Sequence, residues 1–178
     1  MKIRMFLPFL AIITSIGLVS FSIPKRLKKK VEKEIRKTFS VEKFTLDKVI
    51  VPDSINNQLK EKIKEDNLFK IAINEKTIGY AFLDKAPSKT DEFDYLILLD
   101  ENLIVAKTKV LIYREDYGGE IGSKRWLKQF IGKTPKDKLR YEKDIVAISG
   151  ATISASSMTI AVNNFLKNLE ILHQNKVL

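Results

Sequence analysis

The chain has 178 residues, 44% of them apolar and 30% charged, with no cysteine and a single histidine, His173. That length and balance support one packed domain with a short extension and exclude wholesale disorder. The absence of cysteine excludes disulfides, thiolate metal sites, iron–sulfur clusters and thiol nucleophiles, and one histidine argues against His-rich metal centres and Ser-His-Asp chemistry. Neither a metal site nor a set of catalytic side chains is therefore expected. The net charge is +10, unevenly spread: residues 25–37 carry +6, Lys2 and Arg4 add two, and residues 38–178 hold only +2. A nucleic-acid-binding domain should carry a basic face on the fold itself, so nucleic acid is not expected as a partner. A basic strip beside an apolar segment points instead to a membrane surface.

Taken in chain order, Met1–Arg4 is a short basic start, and Met5–Ile23 contains no charge. As a helix those nineteen residues would span about 28 Å, close to the ~30 Å of a bilayer core. The segment therefore reads as a signal peptide or a membrane anchor covering residues 1–23. Ser20 and Ser22 supply small residues for a cleavage after Ser22. The five basic residues within 25–30 flank the side that export would translocate, and the positive-inside rule alone would keep the following chain cytoplasmic. Export, cleaved or anchored, and a cytoplasm-facing anchor thus both stand, with the cell envelope as the expected location.

Residues 24–40 form the next unit. Leu27, Val31, Ile35 and Phe39 recur every four positions, which predicts a basic helix with a narrow apolar stripe. It reads as a spacer beside the membrane, as a contact for anionic head groups through residues 25–37, or both. The main domain spans residues 41–178. A short strand, Phe44–Ile50, leads to a helix capped by Asp53 or Ser54 and running to about Glu65, with Ile55, Leu59 and Ile63 on one face.

Strands then dominate: Leu68–Asn74, a turn at Asn74–Lys76, Ile78–Asp84, a polar loop around Pro87, and Phe93–Leu99. Leu103–Tyr113 has apolar residues on both faces, as a central strand should. Asp91, Glu92 and Asp94 read as a strand's solvent side. A glycine-rich loop, Glu115–Gly122, is followed by a helix from Ser123 holding Trp126, Leu127, Phe130 and Ile131. Ile145–Ile148 reads as a brief strand, and Ser154–Leu172 as a final helix whose Met158, Val162, Phe165 and Leu169 face the core. The order predicts an α+β fold, a mainly antiparallel sheet with flanking helices, preceded by an N-terminal apolar helix.

The informative stretch is Ser149-Gly150-Ala151-Thr152-Ile153-Ser154 at a strand-to-helix junction. Unpaired N–H groups and the helix dipole suit such a junction to a phosphate, and small residues allow close approach. The same residues also suit an ordinary turn in which Ser149, Thr152 or Ser154 caps the helix. The segment resembles the signature of the FMN-binding domain, as found in the G subunit of the Rnf electron-transport complex and the C subunit of the sodium-translocating NADH:quinone reductase. That resemblance covers roughly residues 66–172 and includes the upstream Glu- and Gly-containing loop. It implies FMN as cofactor, joined through its phosphate to Thr152 by a flavin transferase that uses FAD and magnesium. It also implies a cofactor site built from Ser149, Gly150, Ala151, Thr152, Ile153 and Ser154, with Gly118, Gly119 and Glu115 from the loop.

One residue departs from the family pattern. An aspartate is expected three positions before the serine, where this chain has Val146; Asp144 is the nearest acid. Noncovalent FMN and an unmodified Thr152 therefore both stay open. Tyr95, Tyr113, Tyr117 and Trp126 are candidates to pack on the ring, and Arg114 to meet a phosphate. The resulting expectation is an electron-relaying flavoprotein of the envelope that meets redox partner proteins, not a stand-alone enzyme. The alternative is a non-redox envelope domain that binds or scaffolds.

Overall fold

In the computed structural model, which describes residues 23–178, a five-stranded antiparallel sheet lies between two helices. Helix α1 spans Lys25–Phe39. Strands β1 (Thr45–Lys48), β2 (Leu68–Ile73), β3 (Lys76–Pro87), β4 (Glu92–Asp100) and β5 (Val105–Ile112) follow, with one helical turn, α2 (Asp53–Asn56), between β1 and β2. A short 3₁₀ turn at Gly119–Gly122 precedes α3 (Lys124–Leu127), and the long helix α4 (Thr152–Gln174) closes the chain. Strand order follows sequence order, β1-β2-β3-β4-β5. The fold class is thus α+β, as expected. The anticipated apolar helix at the N-terminus lies outside the described residues, and no described helix is long and apolar enough to cross a membrane.

Strand alternation divides the core into two layers. Phe93, Tyr95, Ile97 and Leu99 of β4 face α4, where Met158, Val162, Phe165 and Leu169 are buried. The rings of Phe82 and Phe165 stack with centroids 3.9 Å apart. The alternate residues, Leu96 and Leu98 with Phe69, Ile71 and Leu83, face α1. Leu27, Val31 and Ile35 of α1 are buried against them. The apolar stripe of the basic helix is therefore a structural layer of the domain, not only a spacer.

Several expectations are corrected. The helix from Asp53 to Glu65 is a single turn preceded by Pro52, without a side-chain cap from Asp53 or Ser54. Tertiary hydrogen bonds replace the helical ones there. Asn56 exchanges a pair with the Ile63 backbone, both at 2.8 Å. Asn168 of α4 accepts from Lys60 N–H and donates to Glu61 C=O, also at 2.8 Å.

β5 is an edge strand, not a central one. Both its faces carry buried apolar residues, Val105 and Val110 on one and Leu111 on the other, because α1 and α4 cover both faces of the sheet. Its outer edge is partly closed by backbone bonds between Val105 and residues 132–133, and by Thr108 Oγ1 donating to Leu127 C=O at 3.0 Å. Asp94 is buried rather than on the solvent side, and pairs with Arg114. Ile145–Ile148 is not a strand: Ile145 makes one lone bridge to Tyr141. Trp126 and Gln129 hold the next residue instead, as described below.

Candidate functional site

The antiparallel order brings three segments to one end of the sheet: the β3–β4 turn, the exit of β5, and the start of α4. Between them lies a cleft of about 700 Å³, within the size range of small-molecule and cofactor sites. Lys89, Thr90 and Asp91 line it from the turn, Tyr113–Tyr117 from the loop after β5, and Gly150–Ser154 from the helix start.

The start of α4 is built without a side-chain cap. Ala151 occupies the N-cap position, with φ −128° and ψ 27°, and offers no acceptor. The helix begins two residues before the expected Ser154, and none of Ser149, Thr152 and Ser154 caps it. Ala151 N–H closes a turn onto Ile148 C=O at 3.2 Å, with Gly150 at φ +80° inside that turn. The left-handed conformation at Gly150 is the physical reason for glycine there. The first-turn N–H groups and the positive end of a 23-residue helix dipole consequently face the cleft without an internal competitor. Thr152 is exposed at this point, whereas Ser154 is buried and shares a hydrogen bond of 3.1 Å with Tyr113 Oη.

The glycine-rich loop sits directly behind the turn. Gly118 has φ +81°, and a Cβ there would stand 2.8 Å from Tyr113 Oη and 3.2 Å from the Ala151 Cβ. It therefore has to be glycine on both backbone and packing grounds. Glu115 accepts from Thr90 N–H at 2.6 Å and Thr90 Oγ1 at 3.1 Å, which ties the loop to the β3–β4 turn. The Thr90 N–H, with the Ser88 hydroxyl next in weight, holds the Glu115 carboxyl below the usual range. Arg114 pairs with Asp94 and donates to Glu92 C=O at 2.6 Å, so its guanidinium braces the rim.

Of the residues singled out in the sequence, Glu115, Gly150, Ala151, Thr152, Ile153 and Ser154 line this cleft, and Gly118 packs behind it. Ser149 lines a neighbouring hollow together with Trp126 and Val146. Gly119 faces open space. Among the aromatic candidates, Tyr113 and Tyr117 line the cleft, and Tyr117 is 84% exposed. Tyr95 is fully buried in the core, and Trp126 is buried with its Nε1 donating to Val146 C=O at 2.7 Å. Neither reaches the cleft.

Lys89, Thr90 and Asp91 carry no motif. Only the hairpin register, which sets Pro87 opposite Glu92, brings their turn beside the β5 exit. At the position that departs from the pattern, Val146 projects its side chain outward, 68% exposed. Its backbone is fixed on both sides, the C=O by Trp126 and the N–H by Gln129 Oε1 at 2.8 Å. Asp144 is held by Arg140, at 2.8 Å and 3.2 Å, and that partner keeps its carboxyl below the usual range.

The donor set suits a phosphorylated cofactor: an uncapped helix start, a glycine turn, an exposed hydroxyl at Thr152 and the ammonium of Lys89 on the rim. Comparison with known families agrees. Residues 89–167 match the family model of the FMN-binding domain. The matched stretch starts at the β3–β4 turn and ends inside α4, so it contains all three walls of the cleft. No curated protein matches the chain.

Proposed function

We propose that the chain, whose residues 89–167 match the FMN-binding domain family, binds FMN and is an electron-relaying flavoprotein of the cell envelope. In this reading the FMN phosphate meets the start of α4, joined to Thr152. The observation that carries it is the uncapped start of α4 facing the cleft beside an exposed Thr152.

Each residue has a role that its chemistry permits. First-turn N–H groups and Lys89 offset the phosphate charge. Gly150 and Gly118 let backbone approach backbone, while Tyr113, tied to Ser154, keeps the loop against the helix. The tyrosine rings of 113 and 117 are the aromatic surfaces that line the cleft, beside the apolar side chain of Ile153. When bound, the isoalloxazine supplies the redox chemistry, and the protein supplies attachment and orientation. Attachment needs no base from this chain, because the transferase and its magnesium would supply the chemistry. In that attachment the Thr152 hydroxyl would give up its proton and take the FMN phosphorus from FAD, with AMP as the leaving group.

The envelope assignment rests on the uncharged segment Met5–Ile23 and the basic helix after it. Redox partner proteins and the flavin transferase are its expected partners, and the exposed basic side of α1 its contact with a membrane. The test is to express the chain with a flavin transferase, denature it, and look for flavin fluorescence on a gel beside Thr152→Ala. Fluorescence in the parent, lost in the variant, is the expected result. A dark band from a yellow native protein means noncovalent FMN. A dark band from colourless protein overturns the flavin reading and leaves a binding or scaffold domain.

A further inference from the structure

On the side of the sheet away from the cleft, α1, β5 and the α3 segment enclose a groove of about 500 Å³. Six lysines line it: Lys33 and Lys37 from α1, Lys107 and Lys109 from β5, and Lys124 and Lys128 from the α3 segment. Glu34 is the one carboxylate among the lining residues. Among the described residues, no carboxylate lies within ion-pair distance of any of the six.

This arrangement is unfavourable in the isolated chain. Lys107 and Lys109 are half-buried, with the exposed Lys33, Lys37, Lys124 and Lys128 around them, and like charges brought together in a concave place repel one another more strongly than they would spread over an open surface. The α1 wall adds to this. Lys25, Lys29, Lys33 and Lys37 repeat at the four-residue spacing, which sets like charges side by side along the helix. The excess is also local, since residues 38–178 carry only +2 in total.

We infer that this groove binds an acidic segment of a partner protein. Its shape separates the candidates. Lys107 and Lys109 on the floor are half-buried between two walls, where a flat bilayer does not reach and a protruding carboxylate-bearing segment does. Among the described residues, no aromatic side chain lines the groove, so they offer none of the stacking surfaces that single-stranded nucleic acid uses. Lysine ammonium groups are mobile point charges, suited to carboxylates presented in variable geometry. Association of this kind is steered by charge and weakened by salt. The groove shares no lining residue with the flavin cleft, so this inference stands or falls independently of the cofactor.

The experiment uses the full chain in mild neutral detergent and a labelled poly-glutamate peptide, followed by fluorescence anisotropy. Binding at low salt that is abolished at about 0.5 M salt is expected. The pair Lys124→Glu with Lys128→Glu, both exposed, should weaken it about tenfold. The pair Lys138→Glu with Lys143→Glu, both exposed and outside the groove's lining, should change it less than about twofold. Unchanged melting temperatures would show that both variants fold. Equal weakening by the two pairs would overturn the inference, because net charge would then explain the binding. So would tighter, groove-dependent binding to phosphatidylglycerol vesicles, which would assign the lysines to lipid, or to an oligo-dT strand, which would assign them to nucleic acid. No binding to the peptide at low salt would also refute it.

Discussion

Ile35 decides whether α1 is part of the folded domain. Its side chain is fully buried, in the layer formed by Phe69, Ile71, Leu96 and Leu98. Ile35→Ala removes three carbons from that layer and leaves a cavity between helix and sheet. Substitutions of this kind cost about 2–5 kcal/mol, the spread reflecting how far the site collapses. Two features argue against easy collapse. α1 is flanked along the stripe by Val31 and Leu27, both buried, and Lys30 reaches across to the Leu111 carbonyl at the sheet edge. For a domain of this size, that cost lowers the melting temperature by about 4–20 °C. The assay is thermal unfolding by circular dichroism in neutral detergent, with Lys29→Ala on the exposed side of the same helix as reference. A shift for Ile35→Ala no greater than for Lys29→Ala would refute the layered core. The helix would then be a spacer whose stripe is not packed on the sheet in solution.

Other expectations follow from the loop, the motif and the core. Gly118→Ala should destabilise by about 1–3 kcal/mol, because it combines a positive φ with contact on Tyr113. Gly119→Ala, with nothing within 4 Å of its Cβ, should be nearly neutral; chemical denaturation of the pair measures the difference. Val146→Asp should raise the yield of flavin-modified chain in the transferase assay, since the family pattern has aspartate there. It should leave the melting temperature unchanged, because position 146 is held by its backbone and projects outward. An unchanged yield would mean that the residue at 146 does not limit modification.

Asp84 supplies a pH test. Burial raises its carboxyl above the ordinary value, outweighing the Lys85 backbone N–H and the Lys64 charge that lower it. The folded chain therefore holds the proton more tightly than the unfolded one, and ionisation of Asp84 subtracts stability as pH rises through the raised value. Asp84→Asn should melt higher than the parent at neutral pH. The advantage should shrink as pH falls to about 4, the unfolded-state value, and vanish well below it, where the carboxyl is protonated in both states. An advantage that persists at low pH would show that charge is not its cause.

Periodicity and small-residue motifs made a good part of this molecule legible. The four-residue stripe located α1, alternation located β2–β5, and the apolar face of α4 named its buried residues. The helix-start motif and glycine loop marked two of the three cleft walls, because these features depend on local backbone geometry. What local pattern could not reveal depends on residues distant in the chain. The helix expected after Asp53 is displaced by hydrogen bonds from Asn168, more than a hundred residues away. The buried place of Asp94 exists because Arg114 reaches it from the loop after β5. β5 resembles a central strand because two helices cover both its faces, and only strand order reveals it as an edge. Lys89–Asp91 carry no signature, and hairpin register alone brings them to the cleft. The lysine groove has the same origin: its lysines come from three separate segments of the chain, and only α1 packing on the sheet brings them together. The sequence by itself determined α1, strands β2–β5 and α4, and marked the small residues at the start of α4, since these rest on short-range sterics and hydrogen bonding. Tertiary structure decided which side chains share a cavity, because that depends on contacts between segments far apart in the chain.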